Sequence, residues 1–129
     1  MPRMPIYVAH QLSAPYRAGI QANLNEGALW CAWLAEHFEI APLAPWIHLA
    51  AVWQETPELR ARGLECDFAT IEVCEEVWMV GPVVSGGMTL EATHAFKLGK
   101  PVRDLIGYRR DIDELESMYA RATALRWNP

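Results

Sequence analysis

Apolar residues along this chain come in two rhythms: short unbroken runs, and longer stretches that return every three or four positions. Ile6-Tyr7-Val8-Ala9 is a run with β-branched and aromatic residues, read as a first buried strand, and a loop from His10 to Gly19 follows it. From about Ala22 to Phe38 the positions Leu24, Ala28, Cys31, Ala35 and Phe38 recur at helical spacing and predict a core-facing helix. Glu39 to Leu43 suits a short second strand. Trp46 to Trp53, entered through Pro42 and Pro45, suits a short helix or a loop over the sheet.

Thr56-Pro57 reads as the N-cap and first residue of a helix reaching about Cys74, with Leu64, Phe68 and Ile71 as its buried stripe. Val77 to Val80 is an apolar strand, and Gly81 to Gly87 is rich in turn formers. A helix on Met88, Ala92 and Ala95 should run from about Gly87 to Leu98, stopped by Gly99-Lys100-Pro101. A short strand from Val102 to Ile106 comes next. Asp111-Ile112-Asp113-Glu114 has a capping-box pattern opening a last helix on Ile112, Leu115, Tyr119, Ala122 and Leu125. Alternating β and α elements favour an α/β fold, a parallel sheet with helices on both faces. At 129 residues the expectation is a single domain over 1–129.

Charge narrows the partners. The formal net charge is −5 and the basic residues form no cluster beyond Arg109-Arg110, which argues against duplex nucleic acid. No apolar stretch is long enough to span a bilayer, and the first residues lack a signal-peptide pattern, so a cytoplasmic location is expected. Three cysteines (Cys31, Cys66, Cys74) without CxxC spacing and four scattered histidines suggest neither a disulfide framework nor a metal site. No cofactor is expected. Trp30 and Trp33, one turn apart on the flank of the first helix, suit either core packing or a subunit interface, and Trp127-Asn128-Pro129 is a further candidate for such an interface.

The candidate chemistry lies in two carboxylates. Helical counting puts Asp67 about 40° from Ile71 and Glu91 about 60° from Met88, so both sit at the edge of a buried stripe. A helix-surface Asp67 paired with Arg60 or Arg62 is the plainer alternative. The turn Ser85-Gly86-Gly87 at a helix start would expose backbone N–H groups to an anion. On residues alone a plain strand-to-helix turn, with Gly86 and Gly87 supplying unusual dihedrals, is the favoured reading.

In this order Ile6-Tyr7-Val8-Ala9, Asp67, Ser85-Gly86-Gly87-Met88-Thr89-Leu90-Glu91, Ala95 and Gly99-Lys100-Pro101-Val102 resemble the nucleoside 2-deoxyribosyltransferase superfamily. Within it they are most similar to the 2′-deoxynucleoside 5′-monophosphate N-glycosidases and their uncharacterised phage and bacterial relatives. The resemblance implies a flavodoxin-like (Rossmann-like) three-layer sandwich on a four- or five-stranded parallel sheet. It implies hydrolysis of the N-glycosidic bond of (deoxy)nucleoside 5′-monophosphates, with Glu91 as nucleophile, Asp67 as proton donor and Tyr7 holding Glu91. Ser85, Gly86 and Gly87 would bind phosphate.

The first loop departs from the hydrolase pattern: His10 stands where those enzymes have glycine, and the arginine is displaced to Arg17. His10, Gln11, Ser13 and Arg17 remain candidate substrate donors. A nucleoside deoxyribosyltransferase or a non-catalytic nucleotide-binding module are the alternative functions. The family also implies a homodimer or larger homo-oligomer.

Overall fold

In the computed structural model, which describes residues 2–119, the chain alternates strand and helix as the pattern predicts. Strands β1 (Met4–Ala9), β2 (Ile40–Leu43), β3 (Glu76–Met79) and β4 (Val102–Asp104) form one sheet in the order β2-β1-β3-β4, with every pair parallel. Helices α1 (Arg17–His37), α2 (Pro45–Val52), α3 (Pro57–Val73), α4 (Gly86–Lys97) and α5 (Ile112–Tyr119) connect and flank them. The architecture is flavodoxin-like. Its order reverses between β1 and β3, and in open α/β sheets ligand sites form at that reversal, beyond the strands' carboxyl ends.

Period-two alternation assigns the sheet faces. Tyr7, Ala9, Val77 and Met79 turn toward α3 and α4, where they pack with Ile71, Met88, Ala92 and Ala95. Ile6, Val8, Trp78 and Val80 turn to the other side, against Trp30 and Leu34 of α1 and Leu115 of α5. Most predicted boundaries fall within two residues of those observed.

Two expectations are corrected. Helix α1 begins at Arg17, not Ala22, and buries Ile20, Leu24, Gly27, Trp30 and Leu34, whereas Ala28 is exposed. The first turn carries Ile20, and the helix rotates so that its largest ring is inside. Trp30 is 3% exposed and edge-packed on Trp33, so it is a core residue rather than a free interface. Ala22 to Phe38 has small residues on both candidate faces, and burial of the indole decides between them.

Helix ends are held as the sequence suggests. The Thr56 hydroxyl accepts from Leu59 N at 3.1 Å, and Asp111 Oδ1 accepts from Asp113 N and Glu114 N. Gly99 ends α4 with φ of +72°, a conformation glycine adopts without strain. Lys100 Nζ then donates to the carbonyls of Ile71, Glu72 and Cys74 at the end of α3, and Arg3 does the same for Ala35, Phe38 and Ile40 at the end of α1. The outer strand β2 carries Pro42 opposite Ile6. Ala122 and Leu125 of the predicted last stripe, with Trp127, Asn128 and Pro129, lie outside the described residues.

Candidate active site

The two carboxylates meet where the fold places its site. Glu91 lies in the second turn of α4 and is 6% exposed; Asp67 lies in α3 and is 7% exposed. Tyr7, fully buried on β1, donates its phenolic proton to Glu91 Oε2. That bond fixes one carboxylate oxygen of Glu91. Asp67 Oδ1 is buried and has no hydrogen-bond partner among the described residues, so its proposed ion pair with Arg60 or Arg62 does not form.

Burial sets the electrostatics. It pushes Glu91 well above the ordinary carboxylate range, with the neighbouring Asp67 charge adding to the rise. Burial likewise raises Asp67 to about 6, against a smaller opposing effect of Glu91 and Tyr7. The Tyr7 phenol is raised too, by burial and then by the Glu91 charge, so it stays a donor. Two carboxylates in one buried pocket lose their protons in separate steps, and between those steps they share one proton.

These groups open onto a cleft of about 410 Å³. Asp67, Glu91, Ser85, Gly86, Gly87, His10, Ser13 and Arg17 all line it, together with Trp46 and Trp53. Ser85 is the N-cap of α4, its hydroxyl accepting from Met88 N at 3.3 Å. A Cβ at Gly86 would meet nothing within 4 Å, and one at Gly87 only Ser85 Oγ at 4.0 Å. Packing therefore does not require either glycine. Their bareness leaves the first N–H groups of α4 open to the cleft.

The first loop is used differently from expectation. Gln11 does not line the cleft; its carbonyl receives His10 Nδ1 at 2.7 Å. A carbonyl only accepts, so Nδ1 carries the proton, and burial holds the ring below its ordinary pKa and neutral. His10 lies parallel to Trp46 and against Gly81, where a Cβ would sit 2.7 Å from the ring. Gly81 has φ of +104°, so glycine serves both the turn and this close approach. Trp46 Nε1 donates to Val8 O at 3.0 Å, which makes that ring a fixed wall.

Arg17 spends its guanidinium on Ala50 O and Ala51 O at the end of α2. Ser13 accepts instead from Arg60, a cleft residue that sequence reasoning considered only as a partner for Asp67. The signal was thin: Arg60 precedes Asp67 by two helical turns and so shares its face. No helix of the described residues is long and apolar enough to cross a membrane, and no group of three metal-binding side chains occurs among them.

No curated protein matches the chain. Among solved structures, a 2-deoxyribosyltransferase from the psychrotolerant bacterium Bacillus psychrosaccharolyticus superposes with a TM-score of 0.58. The match covers 88% of this chain and 81% of that one at 17% identity, a likeness of fold. A family model described as "Domain of unknown function (DUF7768)" matches residues 7–105, well over half of the sequence, and the chain belongs to that family.

Proposed function

We propose that this cleft breaks the N-glycosidic bond of (deoxy)nucleoside 5′-monophosphates. The observation that carries the reading is Glu91, held by Tyr7 beside a buried Asp67 with one carboxylate oxygen unsatisfied, on the wall of a cleft that also includes the open start of α4. The name of the solved neighbour supports glycosyl chemistry on nucleosides in general.

Glu91 Oε1 attacks the anomeric carbon as the bond to the base nitrogen breaks. The shared proton passes from Asp67 to the departing nitrogen. Positive charge developing on the sugar draws the negative charge of the pair onto Glu91 and leaves the proton on Asp67, which matches each acid to its role. Water then attacks the glycosyl ester, returns a proton to Asp67, places hydroxyl on the anomeric carbon and frees Glu91. A second base in place of water makes the same site a transferase.

Incubation with each common nucleoside and deoxynucleoside 5′-monophosphate, followed by chromatography of free base, tests this. Release by the parent and none by Glu91→Gln is expected. No release from any of them, or equal release by both proteins, rejects hydrolysis. Product formed only when a second base is supplied selects the transferase.

A further inference from the structure

One arginine of the cleft is paired with a carboxylate of the protein itself. Among the described residues, Arg17 and Arg60 are the arginines lining the cleft, and no lysine does. Arg17 caps α2. Arg60 faces Glu55 and Ser13, and all three line the cleft from different segments: the β1–α1 loop, the α2–α3 linker and the first turn of α3.

The contact is an imperfect one. Arg60 Nε donates to Glu55 Oε1 at 3.0 Å, and Arg60 Nη2 donates to the same oxygen. Ser13 Oγ stands 3.5 Å from that oxygen as well. Three donors converge on a single acceptor, whereas a guanidinium fork is best matched by two separate oxygens. The pair is also half open to solvent, with side-chain exposures of 58% for Arg60 and 35% for Glu55. Ion pairs so exposed are weak and readily exchanged.

We propose that Arg60 and Ser13 recognise the phosphate of a nucleoside monophosphate, and that Glu55 occupies their donors until substrate displaces it. This deepens the reading of the cleft given above and rests on it. A phosphate offers three oxygens where Glu55 uses one, so Nε, Nη2 and the Ser13 hydroxyl each gain a separate acceptor. The exchange also removes a carboxylate from a cleft that already contains Asp67 and Glu91, and an incoming dianion is repelled less. Seven residues of α3 place Arg60 roughly 10 Å along the helix axis from Asp67. That separation suits a ligand with a base at one end and a phosphate at the other. The start of α4 supplies neutral N–H donors, and Arg60 supplies the compensating charge.

Calorimetric titration of the full chain carrying Glu91→Gln, with each deoxynucleoside 5′-monophosphate and its matching nucleoside, tests the assignment without turnover. Arg60→Ala is expected to weaken monophosphate binding about tenfold, the worth of one charge-assisted hydrogen bond, and to leave nucleoside binding unchanged. Glu55→Gln is expected to tighten monophosphate binding and not nucleoside binding. Equal loss for both ligands in Arg60→Ala, no loss for either, no monophosphate binding at all, or weaker monophosphate binding in Glu55→Gln overturns it. The two readings fail separately. Base release by the parent with monophosphate affinity indifferent to Arg60 rejects this assignment alone, and selective loss in Arg60→Ala with no base release rejects the proposed hydrolysis alone.

Discussion

Glu91, Asp67 and Tyr7 are each placed by a local rule, and only their meeting depends on the fold. Strand alternation put Tyr7 on one sheet face, and helical angles put both acids at the margin of a buried stripe; the structure joins them through the Tyr7–Glu91 bond. Arg60 was not legible in this way. Its partner Ser13 is 47 positions away in a loop, and no local periodicity reports such a contact. Replacing Tyr7 with phenylalanine should lower kcat on the order of 10²-fold with little change in KM, since the lost donor orients Glu91, the proposed nucleophile, rather than the substrate. Parallel losses in kcat and KM-dependent binding would assign Tyr7 to substrate contact instead. The shared proton predicts a bell-shaped pH profile. The pair gives up its first proton near pH 6, so kcat/KM should rise through that value. It should fall again at higher pH as the second proton leaves, because Glu91 is raised well above the usual range. The profile of Asp67→Asn should lack the alkaline limb.

At the scale of elements, α1 and α2 were the least legible. Their stripes mix alanine with tryptophan, so several rotations bury similar apolar area, and tertiary contacts choose among them. Gly27 shows the choice made: it faces Trp46, and a Cβ there would lie 2.3 Å from Cη2 of the indole. Gly27→Ala should therefore destabilise the protein by about 1–3 kcal/mol through overpacking, despite alanine's better helix propensity. Chemical denaturation measures this, and a stabilised variant would show that Trp46 moves freely. The same substitution disturbs the Trp46 bond to Val8 O at the cleft wall, so ligand affinity should fall with stability. Ser85→Ala removes an N-cap and should cost about 1 kcal/mol in the same assay. A loss confined to ligand binding would mean the cap bond to Met88 N contributes little.

For the molecule as a whole, the site is a source of instability that depends on pH. A carboxyl raised by folding holds its proton more tightly in the native state than in the unfolded chain. Below the ordinary value both states are protonated and the cost is absent. As pH rises from 3.8 toward about 6 the folded protein is penalised progressively for ionising Asp67, and the cost is fully present above that value. It amounts to roughly 3 kcal/mol, and Glu91 adds a cost of the same sign at higher pH. Asp67→Asn should therefore melt at a higher temperature than the parent at pH 8, and the gain should vanish near pH 4. A gain independent of pH would mean that packing, not charge, is responsible.

Pro42, inside strand β2, has a consequence for the border of the sheet. It stands on the outermost strand, where unpaired amides would otherwise invite the edge of another sheet. A residue with no N–H to offer interrupts that template, so fibril-like or strand-swapped growth is blocked along this border. Replacing Pro42 with valine should therefore raise the tendency to aggregate, which light scattering against the parent protein measures.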